Sequence, residues 1–164
     1  MSVAPVATAS RVAVTLEAIA DCLCNQITSD GLPPVCYCGV MPGSIAVADR
    51  VGNCGDVCGM AWVRLDQMYP AVTVGVPSGD PGNCQRGLGL DIELGILRCF
   101  PTEPTDQELF SSTELQILDA ETLFRAVTCC PAIPQMDCVV APYTPLGPDG
   151  GTVGGTLSIS MMMF

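Results

Sequence analysis

Two stretches of this chain alternate apolar and polar residues, and two others repeat their apolar residues every three or four positions. In LGLDIELGILRCF (88–100), Leu88, Leu90, Ile92, Leu94 and Ile96 fall on one side, and Gly89, Asp91, Glu93 and Gly95 on the other. A period of two is that of a β-strand, so the segment predicts a strand with one dry and one wet face. Its thirteen residues would span roughly 40 Å, long for a domain of this size. The C-terminal segment behaves likewise. Val153, Gly155, Leu157, Ile159, Met161 and Met163 take one face and Thr152, Thr156, Ser158 and Ser160 the other, which predicts a half-buried strand paired inside a sheet.

The helical period appears first near the N-terminus. Val12, Leu16, Ile19, Leu23 and Ile27 form one apolar stripe, predicting a helix over residues 9–28, capped by Thr8 or Ser10 and stopped by Gly31, Pro33 and Pro34. A second helix is expected from Ser111, where Glu114 would complete a capping box. Leu115, Leu118, Leu123, Ala126, Val127 and Cys130 would be its buried side, and Pro131 its end. Shorter strands are expected at 35–41, 44–49, 60–69, 71–76 and 137–143, with loops at 52–59, 78–87 and 101–110. There is no internal repeat, and residues 1–164 read as a single domain. The expected fold class is α+β: an antiparallel β-sheet sandwich, flanked by an N-terminal helix and by a second helix before the C-terminal strand.

Composition narrows the function classes. Seventeen acidic residues face six arginines, with no lysine or histidine, for a net charge of −11. Such a chain is unsuited to wrapping a nucleic-acid backbone, which needs clustered cations. No run of eighteen apolar residues predicts a membrane span. Glu17 interrupts the apolar N-terminal stretch, where Arg11 is the only cation, so a signal peptide is a poor reading and synthesis in the cytosol is expected. A mean hydropathy of +0.44 then suggests apolar surface hidden in an assembly.

Eleven cysteines are the chain's most ambiguous feature. Zinc ligands need a loop that lets two thiolates reach one tetrahedral ion, and only Cys54-x₃-Cys58 has that spacing. Cys22/Cys24 and Cys36/Cys38 are C-x-C pairs, whose side chains diverge. A four-thiolate site would need a further pair from Cys129, Cys130 and Cys138. The candidate disulfide cysteines are Cys54, Cys58, Cys84, Cys129, Cys130 and Cys138, with connectivity open. Cys22, Cys24, Cys36 and Cys99 read better as reduced, small apolar core residues.

Without histidine there is no Ser–His or Cys–His nucleophile pair, and no phosphate-cradling glycine motif stands between strand and helix, so no enzyme, metal or cofactor is expected. Asp91 and Glu93 share a strand face, which an acid–base pair or a cation site requires, but an ordinary acidic surface requires no more. Trp62 reads as core. Gly150, Gly151, Gly154 and Gly155 allow close backbone approach, and with Met161, Met162 and Met163 they form a candidate inter-subunit surface.

The N-terminal helix, the run CGMAWVRL followed by YPAVTVGV, the strand LGLDIELGILRCFP, the helix ending AVTCC, and YTPLGPDGGTVGGTLSISM together resemble the tail terminator proteins of long-tailed bacteriophages. The likeness is nearest to cysteine-containing versions from phages of actinobacteria and covers residues 10–163. It implies a virion protein, assembled in the host cytoplasm, that forms a homo-hexameric ring at the head–tail junction. Such a ring ends polymerisation of the major tail tube protein and docks the head–tail stopper or connector protein. DNA would pass through the lumen without specific binding, and no membrane is involved. Asp91, Glu93, Glu103, Asp106 and Glu108 are candidates for an acidic lumen face. The alternatives are a head–tail stopper or other neck or tail component and, from a different class, a cysteine-dependent structural zinc or redox protein.

Overall fold

The computed structural model describes residues 10–43, 59–78 and 87–163. Along the chain these form α1 (Arg11–Ser29), β1 (Tyr37–Val40), β2 (Met60–Thr73), β3 (Val76–Pro77), β4 (Gly87–Cys99), α2 (Asp106–Thr128), β5 (Cys138–Val140), β6 (Thr144–Asp149) and β7 (Thr152–Met163). The fold is α+β. One open sheet has the order β1-β2-β4-β7-β5, with β3 paired to β2 and β6 to β7. Every pairing is antiparallel except that of β1 with β2, so the sheet is mixed. The two helices pack on one face of this single sheet.

The apolar side of β4 is buried as expected, with Leu88 only partly so, and Gly89 and Gly95 of the other side are buried too. Leu90, Ile92, Leu94 and Ile96 are wholly buried under the helices, beside Leu157, Ile159 and Met161 of β7. From α1, Leu16, Ile19, Ala20, Leu23 and Ile27 enter the same core, and Leu123, Ala126 and Val127 enter it from α2. Ser10 is the N-cap residue of α1, though its side chain makes no capping bond.

Two expectations are corrected. First, α2 starts at Asp106, not near Ser111. Thr105 and Glu108 form the capping box: the Thr105 hydroxyl accepts from the Glu108 amide, and the Glu108 carboxylate accepts from the Thr105 amide at 2.8 Å. Pro101 and Pro104 lie outside the helix and do not break it. The buried side shifts accordingly to Asp119, Thr122, Leu123, Ala126 and Val127, and Leu118 is exposed. Second, residues 60–69 and 71–76 do not make two strands. β2 runs through Pro70, because proline removes a donor but keeps an acceptor, and its carbonyl takes the Ser78 amide at 2.8 Å. The expected strand at 44–49 lies outside the described residues.

Candidate functional site

The sheet face away from the helices carries a polar constellation between two aromatic clamps. Trp62 sits opposite Gly95 and Tyr69 opposite Gly89 in the β2–β4 register. A Cβ at either glycine would overlap the facing ring, so the two glycines are the seats of the two aromatics. Between them stand Asp91 and Glu93. The Arg64 guanidinium grips Glu93 with Nε–Oε1 at 2.7 Å and Nη2–Oε2 at 3.0 Å, and the Trp62 indole donates to the same carboxylate at 3.2 Å. Asp91 Oδ1 accepts from the Tyr69 hydroxyl at 2.9 Å and from Ser160 at 2.6 Å. Burial, then the hydrogen bond to Asp91 and its charge, raises the Tyr69 phenol above its usual range. Both carboxylates are thus partly buried and held by this face's own donors, where an ordinary acidic surface would leave them solvated.

A second constellation lies inside the helix–sheet interface. Arg98 of β4 and Asp119 of α2 form a two-pronged ion pair, 2.7 Å at each contact, and Arg98 Nη1 also donates to the Pro33 carbonyl at 3.0 Å. Burial raises the Asp119 carboxyl above its ordinary value, against the pull of Arg98. Nearby, Tyr143 covers Gly155, and burial, with the charge of Asp119, pushes its phenol up to about 12. Neither Arg98 nor Asp119 was singled out from the sequence, yet a signal was there. Arg98 follows Leu94 and Ile96 on the dry side of β4, and Asp119 stands four residues from both Leu115 and Leu123. Opposite charges interrupting two apolar stripes are a pair in waiting.

The candidate lumen residues divide between two places. Asp91 and Glu93 are on the outer sheet face, whereas Asp106 and Glu108 open α2, where Glu108 is occupied by the cap and held below the usual carboxylate range by Thr105. Glu103 precedes that helix and is exposed. The candidate inter-subunit residues divide as well. Gly150 and Gly151 form the β6–β7 turn in the left-handed region, at φ 56° and 78°. Beside this turn is a cavity of about 360 Å³ lined by Leu97, Leu146, Gly147, Asp149, Gly150 and Thr152. Gly154, Gly155, Met161 and Met162 are buried within the subunit, which corrects their assignment to a subunit surface. The reason is that β7 is interior, flanked by β4 on one side and by β5 and β6 on the other. Met161 joins the main core, Met162 packs with Tyr69 and Ala71 on the outer face, and Met163 lies partly buried against the core.

The cysteines also depart from expectation. Cys22 is bonded to Cys130 and Cys24 to Cys38, and Cys36 and Cys99 are disulfide-bonded too. Cys22, Cys24, Cys36 and Cys99 are therefore not reduced core residues. Of the candidate disulfide cysteines, Cys130 is bonded, Cys129 is an exposed free thiol and Cys138 a half-buried one. Cys54, Cys58 and Cys84 lie outside the described residues. The C-x-C spacing accounts for the divided pairing. Two helical positions apart, Cys22 and Cys24 point about 200° from one another, so one reaches the end of α2 and the other β1.

Among the described residues, no cluster of three or more cysteine or acidic side chains is placed to hold a metal ion. No described helix is long and apolar enough to cross a membrane. No protein-family model matches the chain, and no curated protein matches it closely enough to count as a relative.

Proposed function

We propose that this chain is a structural virion protein of the tail-terminator kind, a subunit of a ring that caps a tail tube and joins it to the neck. The observation that carries this reading is an open sheet with two unlike edges. Among the described residues β1 and the short β3 border one side, and β5 with the fully exposed β6 borders the other. A head-to-tail ring needs two different surfaces on each subunit, and edge strands offer unpaired amides and carbonyls for the purpose. Of the segments that carry the resemblance, β4 and β7 with the glycine turn between β6 and β7 make the centre of this sheet and one of its corners. Copies each carrying −11 would present DNA with a repelling wall, so a packaged genome would slide past.

Native mass spectrometry of the purified protein, without reductant or chelator, tests the reading. A metal-free six-fold species supports it, whereas a zinc-loaded monomer transfers the chain to the metalloprotein class. Phage particles lacking the protein separate the nearest alternatives: overlong tails mark a terminator, and filled heads that leak mark a stopper.

A further inference from the structure

Helix α2 is apolar on two sides. Asp119, Leu123 and Ala126 face the core, while Phe110, Ile117 and Phe124 lie about 150° around the helix and are 60%, 55% and 40% exposed. Residues seven apart stay nearly in line on an α-helix, so the three form one continuous stripe about 21 Å long. A solvent-facing helix side is normally polar, and here it carries two large aromatics that stay 60% and 40% exposed. The stripe is bordered by acids. Asp106, Glu114 and Glu121 are all exposed beside it, and among the described residues neither Asp106 nor Glu114 has an ion-pair partner. The one cation of α2, Arg125, is held by Asp30 at 2.9 Å and lies 3.7 Å from Glu121.

We infer that this face of α2 docks a basic amphipathic helix from a partner protein, its apolar residues seated on Phe110, Ile117 and Phe124 and its Lys or Arg flanks on Glu114, Glu121 and Asp106. Charge complementarity selects this occupant over a second copy of the chain. A copy brings the same acids and a net −11, and among the described residues its Arg64, Arg98 and Arg125 are committed to its own Glu93, Asp119 and Asp30. A helix is the matching shape, because a straight ridge of side chains seats in the groove between the side-chain rows of another helix. The inference stands on α2 alone and does not depend on ring formation.

The probe is a fluorescent synthetic helix of about four turns, with leucines on one face and lysines on both flanks, titrated with the intact, unreduced protein and followed by anisotropy. Saturable binding is expected. Phe110→Ser combined with Ile117→Ser and Phe124→Ser should weaken it at least about ten-fold. Glu114→Gln with Glu121→Gln should weaken it and flatten its salt dependence, which keeps the test alive if the triple variant folds poorly. Val72→Ser and Asp66→Asn, on exposed sites away from α2, should leave binding unchanged. Absence of binding, equal binding of a glutamate-flanked probe, or equal loss from the distant variants would overturn the inference. Self-association abolished by the triple variant would give the face to a second copy, and triple-sensitive binding to zwitterionic vesicles would give it to lipid. Either result also overturns it.

Discussion

Asp119 receives Arg98 through two contacts of 2.7 Å at a point where both side chains are buried, so the packing of α2 against β4 is fastened by charge as well as by apolar contact. Such a pair returns little net stability against the cost of desolvating both ions, but breaking it leaves one charge buried alone. Asp119→Ala should therefore lose about 3–5 kcal/mol in urea denaturation. The double variant Arg98→Met with Asp119→Leu should be more stable than either single variant, because it removes both charges together.

Acid should loosen the contact between the two helices through Asp30. This carboxylate, at the C-terminal cap of α1, accepts from Thr122 at 2.6 Å, from Arg125 at 2.9 Å and from Gln26 at 2.8 Å. The Thr122 hydrogen bond, with those of Arg125 and Gln26, holds its carboxyl below the usual carboxylate range. A depressed folded-state value means that the unfolded chain binds the proton more readily, so the contribution is complete above about pH 4 and is lost as pH falls through the folded value. Thermal melts from pH 6 down to pH 2.5 should show a steeper acid limb in the parent protein than in Asp30→Asn. Equal limbs would remove Asp30 from the acid response.

Much of the fold was legible because its strongest elements are periodic. β4, β7 and α1 each show one apolar side, and each buries that side. Other features were hidden for identifiable reasons. The two prolines before Thr105 masked its capping box with Glu108. Leu118 was misplaced because three-residue spacing from Leu115 fits a stripe, yet it lies about 100° around the helix from core-facing Asp119 and is exposed. The pairing of Cys22 and Cys24 with different elements needs the positions of α2 and β1, which spacing along one chain does not contain. The carboxylates of the outer sheet face were visible as a pair, but Arg64, Tyr69 and Ser160 reach them across strands.

Glycines in this sheet should respond to substitution according to what occupies their space. A Cβ at Gly154 would overlap the carbonyl of Ile96, which is β4 backbone and cannot swing aside. Gly154→Ala should cost about 1–3 kcal/mol or more. Gly95→Ala instead displaces the ring of Trp62, the sole tryptophan, so its fluorescence should shift to the red along with the loss of stability. Gly150 stands in open space at φ 56°, and Gly150→Asn, a residue that tolerates the left-handed region, should be nearly neutral. Unfolding midpoints and emission spectra of the three variants test this order.

The disulfides should rank by the length of chain they close. Cys22–Cys130 spans 108 residues and Cys24–Cys38 spans 14. In the chain-entropy account these correspond to about 4.7 and 3 kcal/mol of restriction on the unfolded state. Cys22→Ala with Cys130→Ala should therefore lower the denaturation midpoint more than Cys24→Ala with Cys38→Ala. The two losses should not add, because both bridges fasten α1, and once one is gone the other restrains a helix that is already freer. Alkylation of the unreduced protein supplies the companion measurement. Cys129 is exposed, whereas Cys138 is half-buried with its thiol pushed up by burial, so iodoacetamide should modify Cys129 first. Rapid labelling of Cys22 or Cys24 before any reductant is added would mean that α1 is not clamped in this way, and the ranking of the two bridges would fail with it.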